Sequence, residues 1–177
     1  MSFIRNLFGR AQNEQTPAPS AEELEEAKKI FFEYSCNSLE MARNDVHFEK
    51  YHISRQQEDA WRNEFIAHWR GQLSTEDLTA VQKLRDANAV EAVPDLLAML
   101  GKGDSYAQLR VAEGVWALSY WMKDRAQKKQ AKAAAVQSAR SLMSQPIQVS
   151  ERHKIEIERL GGSSPEEYIR LFAGHVV

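Results

Sequence analysis

The sequence predicts an all-α protein, and three observations carry the prediction. Helix-start signals recur along the chain. Apolar residues repeat at three- and four-residue steps. Segments with strand-like alternation are few and short.

Ser20-Ala21-Glu22-Glu23 is a capping box, in which the serine oxygen accepts an early helical N–H and the glutamate reaches back to the serine amide. Leu24, Ala27, Phe31, Tyr34 and Met41 follow at helical steps, so the spacing predicts one long amphipathic helix over 21–45. Ser54-Arg55-Gln56-Gln57 is a second box. Behind it Trp61, Phe65 and Trp69 stand four residues apart, an aromatic stripe expected to be buried against Phe31 and Tyr34, with Gly71 as the stop. Ser74-Thr75-Glu76-Asp77 is read as opening a third helix, which carries Leu78, Val81 and Leu84. Ser164-Pro165-Glu166-Glu167 opens the last, with proline at the first helical position, where its missing N–H costs nothing. Tyr168, Leu171 and Phe172 form its apolar face. Within 147–158, Ile147-Gln148-Val149 and Lys154–Glu158 alternate. The Ile155–Leu160 piece reads as a short helix before Gly161-Gly162, with a small hairpin as the alternative.

Residues 1–19 read as a separate flexible tail, and 20–177 as a single helical domain. Pro17, Pro19 and polar neighbours have linker composition. Ahead of them Phe3, Ile4, Leu7 and Phe8 fall at helical spacing beside Arg5 and Arg10. That pattern suits a short amphipathic hook making a peripheral contact with a membrane or a partner's groove. The plainer reading is a disordered terminus, since an isolated helix of about ten residues is unstable in water. No apolar region of a signal peptide follows, and Ser2 stands where myristoylation requires glycine.

Composition excludes several classes. With 177 residues, 43% hydrophobic and 27% charged, the chain can bury a core without disulfides. Its net charge of −2 argues against bulk attraction to nucleic acid or anionic lipid. The single cysteine, Cys36, forms no internal disulfide and suits a reducing cytoplasm. No apolar run approaches the roughly 20 residues of a membrane-spanning helix.

The stretch from Ala80 to Leu118 is the most informative. Ala89-Val90, Val93-Pro94, Leu96-Leu97 and Leu100 lead to the turn Gly101-Lys102-Gly103-Asp104. Leu109-Arg110, Ala112, Val115 and Ala117-Leu118 follow. This stretch resembles a HEAT-type helical repeat, in which a short proline-bearing helix turns into a second helix with an arginine and small residues beneath it. Independently, Leu109, Ala112, Trp116 and Ser119 share one face, and Val111, Val115, Leu118 and Met122 the next. A helix so apolar around its circumference is buried between layers, and Ala112 and Gly114 admit a close neighbour. The resemblance implies a helical hairpin near 89–122. The whole is either a compact helical bundle or a short HEAT-like α-solenoid, because one repeat and half of another do not make a long superhelix.

Chemistry-bearing patterns are sparse. Asp45, His47, Glu49, His52, Glu58, Asp59, Glu64 and His68 crowd 24 residues, and His52, Glu64 and His68 are the weak metal candidates. The chain lacks HExxH, and Glu49–His52 is its lone Glu-x-x-His, where a di-iron bundle uses two. A surface pair beside the aromatic stripe is the plainer account of Glu64 and His68. There is no GxSxG and no phosphate loop, and Cys36 within a helix reads as an inert buried thiol. No catalytic residue and no cofactor is expected. Lys123–Arg140 carries six bases against Asp124, a net +5, whereas Glu22–Asp59 carries ten acids against five bases, a net −5. Arg125, Lys128, Lys129 and Lys132 share one helical face that suits an acidic protein or a nucleic-acid backbone. The plainer reading there is a solvated face of an alanine-rich helix.

The expectation is a non-enzymatic, cytoplasmic protein-interaction module. The HEAT resemblance implies interaction rather than chemistry, as in an adaptor or an immunity-type inhibitor. A metal-dependent enzyme with a site around 47–68 is one alternative. A weak nucleic-acid binder working through the basic 123–132 helix is the other.

Overall fold

A computed structural model describes residues 19–162 and 164–177. Residues 1–18, with the expected hook of Phe3, Ile4, Leu7 and Phe8, lie outside the described residues. Within them the chain forms nine α-helices and two short 3-10 turns, with no strand.

The first helix, α1 (Ala21–Glu33), starts at the predicted box: Ser20 Oγ accepts from the Glu23 amide, and Glu23 accepts from the Ser20 amide at 2.7 Å. It stops far short of the 45 predicted. The Cys36 amide donates to the Phe31 carbonyl at 2.7 Å and the Ser35 amide to the Phe32 carbonyl at 3.0 Å, with Ser35 at φ 52°. That is a Schellman stop with serine in the left-handed position usually held by glycine. Asn37 then caps a separate α2 (Ser38–Arg43). Cys36 therefore lies in a turn and not within a helix.

Helix α3 (Arg55–Gly71) carries the aromatic stripe, which is buried at Trp61 and Phe65 and half-buried at Trp69. Phe31 meets Trp61 at 6.1 Å between ring centres, and Phe32, rather than Tyr34, meets Phe65 edge-on at 5.3 Å. Helix α4 (Thr79–Asp86) begins later than the Ser74 box predicts. Ser74 Oγ accepts only from the Glu76 amide; Leu78 is the N-cap, and Asp77, one residue before it, accepts from the Thr79 amide at 3.0 Å.

The hairpin predicted near 89–122 consists of α5 (Val93–Met99), with Pro94 in its first turn, and α6 (Ser105–Ser119), capped by Asp104. Val111, Val115 and Leu118 of α6 are fully buried, while Leu97, Leu100 and Trp116 are only partly so. At Gly114 a Cβ would lie 3.1 Å from Val81, which confirms the close approach of a neighbouring helix there. Helix α7 (Arg125–Ser144) lays Ala131, Ala135, Ala139 and Leu142 into the same core. Helices α8 (Glu151–Arg159) and α9 (Pro165–Val176) complete it with Ile157, Ile169, Ala173 and Val176. Residues 147–158 contain no hairpin. The Gln148 backbone exchanges two hydrogen bonds with Ser105, and α8 follows directly.

Two apolar clusters result. One gathers the aromatic residues of α1–α3, and the other surrounds α6. Helix α4 joins them, sending Leu84 into the first and Val81 into the second.

Candidate partner-binding site

The four basic residues singled out in the sequence stand at the start of α7, where Asp124 caps the helix by accepting from the Gln127 amide at 2.8 Å. Lys123 precedes the helix, so the basic helical face begins at Arg125. Lys128 turns back to donate to the Tyr120 carbonyl at 2.9 Å, and Lys132 Nζ lies 3.8 Å from the centre of the Tyr120 ring. Trp116 also meets that ring, edge-on at 4.8 Å. The cation–ring contact fixes Lys132 and leaves its charge in solvent reach. Arg125 and Lys129 are exposed and form no ion pair among the described residues. Among the described residues no acidic side chain pairs with the α7 charge.

Tyr120 and Trp121 are the feature that the basic pattern alone does not reveal. They close α6 at the corner leading into α7, 48% and 56% exposed. The signal was the Tyr-Trp doublet just ahead of the lysines, hidden because the apolar run of α6 reads as continuing through it.

The metal candidates are dispersed. Both carboxylate oxygens of Glu64 accept from Lys28 Nζ, at 2.7 and 2.8 Å. His68 packs edge-on to Trp69 at 5.0 Å, and His52 ends the 3-10 turn Phe48–Tyr51 in the left-handed conformation. Among the described residues no three His, Cys, Asp or Glu side chains gather as a metal site. Burial pushes the Cys36 thiol up to about 12, against the opposing field of Arg62, so it is a neutral thiol rather than a nucleophile.

A polar strip on α6 also escaped the sequence pattern. Arg110 pairs with Glu113 at 2.6 Å, and the Tyr106 hydroxyl donates to Glu156 at 3.0 Å. Burial raises the Glu113 carboxyl above its usual range despite Arg110. Burial also raises the Tyr106 hydroxyl. Each group is engaged by another, so the strip braces α6 and α8 rather than presenting a free acid or base. Between α8 and α9 lies an apolar cleft of about 610 Å³, edged by exposed Leu160 and Leu171 and with Glu167 as its charged lining residue.

No protein-family model matches the chain, and no curated protein or solved structure is detectably similar to it. Among the described residues no helix is long and apolar enough to cross a membrane.

Proposed function

We propose that the chain is a non-enzymatic protein-interaction module, an adaptor or inhibitor that meets an acidic partner at the α6–α7 corner. The observation that carries this reading is the pairing of two exposed aromatic residues, Tyr120 and Trp121, with the charges of Arg125, Lys128, Lys129 and Lys132, none of which is ion-paired among the described residues. Exposed aromatic side chains beside basic ones are the composition of interface hot spots. The local HEAT resemblance of residues 80–118 supports the same reading, because such repeats present rigid helical faces. A protein is favoured over nucleic acid because Lys132 sits over the Tyr120 ring, on the surface that a base would need for stacking.

The test is the double reversal Lys128→Glu with Lys129→Glu, applied to the full chain and to a partner captured from the native host. Association should slow by roughly tenfold or more at low salt, and its salt dependence should flatten, with circular dichroism unchanged. An association rate untouched by the reversal would mean the face is merely solvated.

A further inference from the structure

A cleft of about 290 Å³ separates α2 from the α6–α7 corner. Its lips, the exposed apolar residues that line it, are Leu39, 60% exposed, and Trp121, 56% exposed. Cys36 and Phe31 line it from the α1 stop. The volume suits a single bulky side chain rather than a cofactor-sized ligand. Two large, exposed apolar side chains lining one small cleft are the setting in which an interface anchor is buried.

The charge around the cleft is lopsided. On the α3 wall Arg55 lies 3.7 Å from Glu58 and 3.2 Å from Asp59. Arg62 donates to the Ala87 and Asn88 carbonyls, at 2.6 and 3.2 Å, and keeps its charge, so the two arginines and two acids that line the wall balance formally. Across the corner, the basic residues at the start of α7 form no ion pair among the described residues. Among the described residues the excess charge beside the cleft is therefore positive.

We propose that this cleft and the basic face of α7 together dock an acidic amphipathic helix of a partner protein, one bulky apolar side chain of which fills the space between Leu39 and Trp121. The inference rests on the basic corner being a docking surface and adds the form of what docks there. An amphipathic helix meets both demands at once, since apolar positions three and four residues apart share one face while acids flank them. The apolar anchor holds the complex, and the charges steer it.

The test uses the full chain and two synthetic helical peptides of equal length and equal negative charge. One is built from glutamate and alanine, and the other has leucine along one face. Binding is read by fluorescence polarisation at two salt concentrations. The leucine peptide should bind at least about tenfold more tightly, one well-placed anchor's worth. Trp121→Ala and, separately, Leu39→Ser should abolish that difference while the salt dependence stays. Lys128→Glu with Lys129→Glu should weaken both peptides. Circular dichroism checks that each variant folds, and the exposure of both lips makes them tolerant sites. Equal affinity for the two peptides, or an unchanged preference in both lip variants, overturns the cleft while leaving the basic face standing. Failure of both peptides to bind at low salt overturns the basic face itself. A single-stranded oligonucleotide of equal charge that outcompetes the leucine peptide, and loses affinity with Trp121→Ala, would overturn the choice of a protein partner.

Discussion

Asp104 ties the start of α6 to the start of α8. It caps α6 by accepting from the Ala107 amide at 2.9 Å, accepts from the Ser150 amide at 2.8 Å, and meets His153 Nδ1 at 2.8 Å. Burial pushes its carboxyl upward, but these donors together outweigh burial and hold it below the usual carboxylate range. A folded value below the unfolded one means that Asp104 adds stability above about pH 4, and that this share is lost as pH falls through the lower folded value. Asp104→Asn should cost about 1–2 kcal/mol at neutral pH in urea unfolding, and its deficit should shrink in acid. A deficit of constant size down to strongly acid pH would show that the anion contributes nothing. The two tryptophans of the aromatic stripe make a second contrast. Trp61, 6% exposed, should cost about 3–5 kcal/mol when cut to alanine, whereas half-buried Trp69 should cost clearly less. Denaturant midpoints of the two variants decide it.

At the scale of the element, helix ends explain where the reading of the sequence missed. Four helices stop in the same way, with an amide reaching back five residues: Cys36 to Phe31, Val46 to Met41, Ala89 to Leu84 and Gly162 to Ile157. The left-handed residue is glycine only at Gly161; elsewhere it is Ser35, Asp45 or Asn88. A reading that looks for glycine stops therefore sees the fourth and runs through the first. The exposed Asp45 gives the test, since a β-branched residue is costly in the left-handed region and glycine is not. Asp45→Val should lose about 1 kcal/mol or more and Asp45→Gly none, by chemical denaturation. Helix α7 shows the other face of element packing. Its alanines lie flat against the second core, so the basic side of the helix is held rigidly outward. Ala135→Leu should cost about 1–3 kcal/mol by overpacking, and a neutral result would mean a looser seam than the burial implies.

At the scale of the whole molecule, the two cores share α4, so they are expected to melt together. Leu84 is fully buried in the first core, on the helix that also supplies Val81 to the second. Leu84→Ala should cost about 3–5 kcal/mol, yet tryptophan fluorescence and far-ultraviolet circular dichroism should still report one coincident transition. Separated transitions would show that the cores are independent units.

The all-α class, the caps at Ser20, Ser54 and Ser164 and the buried run of α6 were legible in the sequence, because each depends on residues within one or two turns of each other. The basic face was legible for the same reason, as a spacing along one helix. What the sequence left open depended on distant partners. Ser35 and Asp45 adopt left-handed backbone where Phe31 and Met41 carbonyls wait to be capped. Glu64 is claimed by Lys28 from another helix instead of joining His68. Tyr120 and Trp121 surface only because α6 ends at a corner where α7 turns away, and the Leu39–Trp121 cleft exists only once α2 and that corner are packed side by side. Short-range hydrogen-bonding and periodicity choose the helices. Which side chains remain in water to meet a partner is decided by how the helices pack.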